Sequence, residues 1–174
     1  IPKKLKEWLS EHFQFFSAKM AGEKQSGDET KKYLFGLSDG NFIECVLLKA
    51  PSEDGGIRKT LCLSTQVGCA CACKFCASAL RGFVRNLTAE EIISQALPFV
   101  EETIDNGKRI RRFEFENIVV MGMGEPLINY TNLMSALKVF NSAEKFAFGA
   151  RRITVSTCGI ADRLEKLPED GFPY

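Results

Sequence analysis

The sequence predicts an α/β fold in which parallel strands alternate with helices, and two features lead to this prediction. Over residues 59–174, short apolar runs typical of strands alternate with segments whose apolar residues recur at helical spacing. Polar or glycine-rich clusters follow three of these strands, at residues 69–76, 122–126 and 156–159. A β-α-β-α-β-α order favours parallel strands with helical crossovers, and parallel barrels carry their active sites at the carboxyl ends of the strands.

The composition is that of one ordinary domain, with 174 residues, 45% hydrophobic and 26% charged side chains. No stretch approaches the roughly 18 apolar residues of a membrane span, so we expect no membrane partner. A net charge of +1 excludes a strongly basic nucleic-acid coat. Residues 108–112 and 151–152 form local basic patches, which are explained equally well as solvated flanks of strands. Seven cysteines without a secretory signal predict a reducing compartment, the cytoplasm.

The chain before the main body is expected to form two small units. Apolar side chains at helical spacing predict an amphipathic helix over residues 3–20, followed by a polar linker up to residue 32. Apolar runs at 33–37 and 42–48 flank Asp39-Gly40, a strong β-hairpin signal that requires positive φ at both turn residues. The predicted domains are the helix and linker (1–32), a β-hairpin accessory region (33–58) and a truncated first half of a β/α barrel (59–174).

The main body begins with a predicted strand over residues 60–66, whose alternation places Cys62 on its polar face. Thr88 and Glu91 form a capping box for a helix that is expected to kink at Pro98 and to end at Gly107. A strand buried on both faces is then predicted for residues 113–121. The later predicted elements are a helix around 133–140, a strand over 151–157 and a helix over 160–167.

A cysteine loop at residues 68–76 carries the strongest chemical signal. Cys69, Cys73 and Cys76 stand three and then two residues apart, with Phe75 just before the last. Closely spaced thiolates in one loop can converge on an iron–sulfur cluster. Three cysteines rather than four would leave one iron of a four-iron cluster without a protein ligand, and that iron could take an outside ligand.

Other interpretations of these cysteines are weaker. A disulfide framework is disfavoured because seven is an odd number and the chain has no secretory signal. A zinc site could use Cys71 as a fourth thiol, but structural zinc sites usually take their ligands from two separated pairs. The spacing therefore favours a cluster, with zinc as the alternative.

Four segments, in this order, resemble one radical S-adenosylmethionine (SAM) family, namely the dual-specificity RNA methyltransferases of the RlmN/Cfr type. They are Thr-Leu-Cys-Leu-Ser-Thr-Gln-Val-Gly-Cys (60–69), Gly-Phe-Val-Arg-Asn-Leu-Thr (82–88), Met-Gly-Met-Gly-Glu-Pro-Leu-Ile-Asn (121–129) and Arg-Arg-Ile-Thr-Val-Ser-Thr (151–157). The resemblance covers about residues 33–167. It implies a partial radical-SAM (β/α) barrel of about three β/α units, preceded by a helix and a hairpin.

The resemblance also implies cofactors and a substrate. This family methylates carbon 2 of adenosine in 23S-type rRNA and in tRNA. By resemblance, Cys69, Cys73 and Cys76 hold a [4Fe–4S] cluster. Gly124 and Glu125 match the SAM-binding turn, where a carboxylate suits the cofactor's ammonium group, and Ser156 matches another cofactor contact. The implied partners are rRNA and tRNA, together with a low-potential electron donor resembling flavodoxin or ferredoxin.

Two further residues match the family's catalytic positions. Glu44 corresponds to the proposed proton acceptor, and Cys62 to the cysteine that resolves a covalent enzyme–RNA adduct. Each also has a plain structural explanation, because a charge on an edge strand discourages unwanted pairing and a thiol can simply pack in a strand. Cys71 lies outside the motif positions, and Cys158 stands where the family usually has a small hydroxylated residue.

The family's methyl group travels on a second cysteine near the C-terminus, which is not among these 174 residues. The chain starts at Ile1 rather than Met and stops after three of six expected β/α units, so we expect a truncated enzyme without turnover of its own. Two alternatives from other classes remain. One is another radical-SAM enzyme, such as a glycyl-radical activase, and the other is a non-catalytic zinc-binding RNA module.

Overall fold

The computed structural model describes residues 2–12, 17–106 and 108–172. Three parallel strands and their helices form the main body, and antiparallel strands precede it. The elements in chain order are α1 (Lys3–His12), β1 (Ala18–Gln25), β2 (Lys31–Leu37), β3 (Phe42–Pro51), β4 (Ile57–Cys62), β5 (Gln66–Gly68), β6 (Phe83–Asn86), α2 (Ala89–Ser94), β7 (Val100–Asp105), β8 (Lys108–Phe113), β9 (Asn117–Val120), α3 (Tyr130–Asn141), β10 (Ile153–Val155) and α4 (Ala161–Leu164).

One six-stranded sheet, in the order β1-β2-β3-β4-β9-β10, organises the described chain. β4 pairs with β9 and β9 with β10 in parallel, with α2 and α3 lying between these strands in sequence. Helical crossovers between parallel strands are the defining feature of α/β folds. The predicted α/β class and the β-α-β-α-β-α order, here β4-α2-β9-α3-β10-α4, are therefore confirmed.

The two faces of this sheet differ in burial. Ile43, Leu61 and Ile118 lie on one face and are at most 1% exposed, in a core that also takes residues of α2 and α3. On the other face Val46, Cys62 and Val119 occupy paired register positions. Side chains alternate between faces along a strand, so this second face is the one turned away from the helices.

The first predicted helix is too long. It ends at His12, and β1 begins at Ala18 where helix was expected, so Met20 pairs with Phe35 of β2. The predicted linker up to residue 32 is also wrong, because it contains most of β1, a turn and the start of β2. Only Ala18 of β1 is buried, so β1 has no alternating apolar pattern that would predict a strand. Its strand conformation depends on pairing with β2. Phe13 and Phe16, expected on the helix face, lie outside the described residues.

The helix predicted from the capping box ends early. Its capping box is present, but α2 stops at Ser94, and a 3-10 turn over Leu97–Phe99 leads into the hairpin β7–β8. Pro98 has no amide hydrogen to give to the carbonyl of Ser94, which ends the helix instead of kinking it. Gly107, the predicted end, lies outside the described residues.

Two predicted strands differ in detail. The strand predicted over residues 113–121 is divided between β8 and β9, and Asn117 and Val119 are partly exposed, so it is not buried on both faces. The strand predicted over residues 60–66 ends at Cys62.

The hairpin β2–β3 is confirmed, although its turn differs from the expected type. Gly40 has a φ of 83°, whereas Asp39 is not among the positive-φ residues, and Leu37 bonds to both Gly40 and Asn41. This pattern belongs to a three-residue loop with a glycine bulge.

The three-domain division stays a prediction, and the six-stranded sheet joins strands from all three predicted domains. None of the helices in the described ranges has the length and apolar character needed to cross a membrane.

Candidate cofactor site at the strand ends

Three loops meet beyond the carboxyl ends of the parallel strands, and Glu125 joins two of them. Its carboxylate accepts hydrogen bonds from the Leu127 amide (2.9 Å), the Thr157 hydroxyl (2.5 Å) and the Cys158 amide (2.8 Å). Glu125 is 4% exposed. The carboxylate therefore holds the loop after β10 against the loop after β9.

The charge state of Glu125 follows from these contacts. Burial alone would raise its pKa, but the hydrogen bonds from the Cys158 amide, the Thr157 hydroxyl and the Leu127 amide outweigh that effect. The pKa is lowered from its usual value, so Glu125 carries a negative charge at neutral pH. A buried carboxylate beyond the carboxyl ends of the parallel strands suits a cationic group of a ligand.

Two buried amides that the sequence analysis did not single out position this turn. Gln66 accepts from the Glu125 amide (2.9 Å) and donates to Asn86 (2.8 Å), and it is fully buried. Asn129 donates to the carbonyls of Thr65 and Leu87, at 2.8 and 2.7 Å. A polar amide inside or beside an apolar run is the sequence signal that could have identified both, since buried amides need partners.

Gly124 is required for packing within the protein. Its φ is 103°, and a Cβ there would lie 2.5 Å from the side chain of Gln66. Any larger residue would push the turn away from Gln66 and break the bond to Glu125. The glycine thus lets one loop approach another.

The cysteine loop presents three half-buried thiols. Cys69, Cys73 and Cys76 are all unpaired, and backbone bonds from the Cys69 amide to Gly82 and from the Cys76 amide to Cys73 shape the loop. Phe75 is 94% exposed. Their three sulfur atoms do not all lie within 4.8 Å of one another, as ligands of a single ion would. Thiolates on different irons of a cluster stand farther apart, so three unpaired thiols in one loop fit a cluster.

A different trio of potential ligands is close together in the described chain. Atoms of Cys71, Glu125 and Cys158 lie within 4.8 Å of one another, and the two sulfur atoms are 3.4 Å apart. Burial, together with the contact to Cys158, raises the pKa of Cys71 to about 12. The sequence analysis treated Cys71 as a bystander, yet the fold brings it to Cys158 across 87 residues.

Glu44 and Cys62 share the sheet face turned away from the helices. Val46 lies opposite Cys62, and Glu44 is two residues along the same strand. β3 lies between β2 and β4, so the edge-strand explanation of Glu44 is wrong. Its carboxylate instead forms a partly exposed ion pair with Lys32 at 3.1 Å.

Cys62 is 8% exposed, and burial raises the pKa of its thiol. Ser64, close to Cys62, donates to the Glu44 carbonyl (2.6 Å) and accepts from the Met123 amide (2.8 Å). The hydroxyl of Ser64 therefore connects the strand of Glu44 with the turn before Glu125.

The remaining predicted features lie at the surface. Ser156 is exposed at the end of β10, with its amide bonded to Val120. The basic stretch 108–112 pairs with the acidic strand β7, where Arg111 contacts Glu102 at 2.7 Å. This pairing favours the structural explanation of that stretch.

No family model matches the chain. Curated relatives do match over its whole length. A probable dual-specificity RNA methyltransferase of Opitutus terrae is 46% identical over 179 residues, and an enzyme of that name from Lawsonia intracellularis is 46% identical over 176. The alignments cover all of this chain and 48% of each relative. A radical-SAM methyltransferase structure from Sphaerobacter thermophilus has a TM-score of 0.82 at 37% identity, with 99% of this chain and 48% of that one covered.

The chain is a homologue of the dual-specificity RNA methyltransferases. The resemblance found in the four sequence motifs is thus confirmed, as is the radical-SAM type of fold. The chain spans about half the length of the curated relatives it matches.

Proposed function

We propose that this chain is the cofactor-binding part of a radical-SAM enzyme that methylates carbon 2 of adenosine in rRNA and tRNA. The observation that carries the proposal is the loop of Cys69, Cys73 and Cys76, three unpaired thiols beside the parallel strand ends. The names of the relatives support an RNA substrate and methyl transfer. The relatives' names also favour this reaction over a protein-radical activase.

The three cysteines would hold a [4Fe–4S] cluster, and the charged carboxylate of Glu125 would face the ammonium group of SAM, beside Gly124 and Ser156. When bound, cluster and SAM supply radical chemistry to a carbon that has no electron pair for polar methylation. The target base must be unstacked to reach the site, which favours single-stranded or junction RNA.

Glu44 and Cys62 would act on the sheet face turned away from the helices. Glu44 would accept a proton, and its carboxylate forms a partly exposed ion pair with Lys32. Cys62 would attack the sulfur of an enzyme–RNA adduct and release methylated RNA by forming a disulfide. Burial raises the pKa of this thiol and so disfavours the thiolate that the attack requires.

The test uses the full-length protein that contains this chain, loaded with iron and sulfide, and given SAM, a chemical reductant and rRNA. We expect 2-methyladenosine in the digested RNA, and none with Cys76→Ala. A chemical reductant avoids dependence on the predicted flavodoxin-like or ferredoxin-like donor. A purified protein that holds zinc, is colourless and leaves the RNA unmodified would contradict the proposal and favour a zinc-binding RNA module.

Cys62→Ala separates bond formation from release. The variant should still cleave SAM but accumulate RNA attached covalently to the protein, visible as a slow band on a denaturing gel. Release of methylated RNA at the wild-type rate, without a trapped adduct, would make Cys62 only a packed strand thiol.

A further inference from the structure

Cys71 and Cys158 form a thiol pair that the proposed chemistry does not use. Their sulfur atoms are 3.4 Å apart, Cys158 is exposed and Cys71 is half-buried. Cys71 is in the cysteine loop, and Cys158 is in the loop after β10. The pair therefore bridges the cysteine loop and the loop after β10, whereas Glu125 holds the loop after β10 to the loop after β9.

We propose that Cys71 and Cys158 are a modification site, at which a reversible disulfide ties the cysteine loop to the loop after β10. A disulfide needs a sulfur–sulfur distance of about 2.05 Å, so the two surface loops have to close by roughly 1.4 Å. Both residues adjoin backbone with positive φ, at Ala72 and Gly159, in irregular segments outside the sheet. Neither thiol is locked inside a strand or helix that would resist this movement.

A single metal ion fits the same atoms less well. Such an ion would take two thiolates and the Glu125 carboxylate. That carboxylate already accepts bonds from Leu127, Thr157 and the Cys158 amide. These bonds leave about one of the four lone-pair sites of the carboxylate for a further contact, and the trio offers three ligands where a structural zinc site takes four.

The oxidant we propose is a low-molecular-weight disulfide such as glutathione disulfide. One protein thiolate attacks it, forming a mixed disulfide and releasing one glutathione. The second protein thiol loses its proton and attacks the mixed disulfide, which forms the Cys71–Cys158 bond and releases a second glutathione. The two protein thiols are oxidised, one glutathione disulfide is reduced to two thiols, and a dithiol reductant reverses the exchange.

The crosslink would also affect cofactor loading, a consequence that rests on the proposed function. Cys71 lies between Cys69 and Cys73, so a bond to Cys158 fixes the middle of the segment that must wrap around a cluster. We expect the oxidised chain to take up iron and sulfide several-fold more slowly than the reduced chain. Cys158→Ser, exposed to the same oxidant, is the control because it cannot form the bond.

The crosslink is tested on the 174-residue chain with Cys69, Cys73 and Cys76 replaced by Ala, which removes the competing thiols of the cysteine loop and leaves the buried Cys45 and Cys62. After equilibration with glutathione disulfide, peptide mapping should find Cys71 joined to Cys158 and no glutathione on either. Cys158→Ser in the same background should instead carry a stable glutathione adduct on Cys71. Cys45→Ala, at a buried position of β3 outside both loops, should leave the crosslink unchanged.

Separate glutathione adducts on Cys71 and Cys158, or two unmodified thiols, would overturn the proposal. Stoichiometric Zn²⁺ binding that blocks the crosslink, and that is lost in both Cys71→Ser and Cys158→Ser, would replace it with a metal site. Peptide mapping of the chain without the three alanine substitutions checks that these substitutions did not themselves cause the Cys71–Cys158 bond. Peptide mapping does not depend on a cluster, so it separates this proposal from the proposed function.

Discussion

Glu125 connects the chemistry and the architecture of the site. Its carboxylate is buried, charged and bound by donors from two loops, so it both shapes the cofactor site and carries the charge that a ligand would meet. A hydrogen bond to a charged group contributes about 1.5–3 kcal/mol to stability. Removal of this charge should therefore weaken the hold on the loop after β10 and lower the affinity for the ligand.

Glu125→Gln should keep the iron content of the reconstituted protein and weaken SAM binding at least tenfold. The glutamine side chain is uncharged and has only one acceptor oxygen. Its NH₂ group would face a hydrogen-bond donor that the carboxylate of Glu125 accepts from. Calorimetric titration with SAM measures the effect, with the exposed Glu53→Gln as the matched control. An unchanged SAM dissociation constant would remove Glu125 from the ligand site.

The cysteine assignment makes a second prediction at this scale. Anaerobic reconstitution should give about four irons per chain, the content of one cubane cluster. Cys76→Ala should lose this iron, whereas Cys71→Ala should retain it, because only Cys76 is a proposed ligand. Iron and sulfide analysis measures both, and the reverse result would replace the assigned ligands.

Arg85, in β6, connects three elements of the fold. Its guanidinium contacts Asp39 in the β2–β3 turn at 2.6 Å and both carboxylate oxygens of Glu91 at 2.8 and 2.9 Å. Glu91 is 4% exposed and also closes the capping box with Thr88. The ion pairs lower the pKa of Asp39 and raise that of Arg85. The turn, β6 and the start of α2 are therefore held by one cation.

Arg85→Ala should lower the free energy of unfolding by about 3 kcal/mol, because it leaves the buried Glu91 charge without its bidentate partner. Urea unfolding followed by circular dichroism measures the loss. Lys31→Ala is the control, because its partner Glu23 is 42% exposed at the side chain, and it should cost less than about 1 kcal/mol. Equal effects of the two substitutions would contradict a special role for Arg85.

At the scale of the whole molecule, the sheet separates a helix-covered core from an open face with Glu44 and Cys62. Cys45 lies on the core side and is fully buried. Burial raises the pKa of its thiol well above the ordinary 9.0, since the core disfavours a thiolate. The unfolded chain gives up this proton near pH 9, whereas the folded chain keeps it.

The stability of the chain should therefore fall as the pH rises above about 9. There the folded state binds more protons than the unfolded state, and each such thiol contributes a slope of up to about 1.4 kcal/mol per pH unit. Urea unfolding at pH 8 and pH 10 measures the difference, and Cys45→Ala should reduce it. If Cys45→Ala leaves the pH dependence of stability unaltered, other titratable groups cause the loss of stability above about pH 9.

Local patterns in the sequence determined much of this protein. The β2–β3 hairpin, the Thr88 capping box and the turn after β9 that carries Glu125 were all predictable, because each depends on residues a few positions apart. The radical-SAM resemblance likewise came from short motifs in order. Neighbouring residues alone produce these signals.

Tertiary structure decided the rest. β1 forms because β2 offers it a partner, and residues 100–105 pair with β8 instead of continuing a helix. Contacts between segments far apart in sequence also place β3 inside the sheet and bring Cys71 to Cys158. The hydrogen bonds of Glu125 to the loop after β10 are of the same kind. Such contacts form only when the whole chain closes around its core, so no local pattern specifies them.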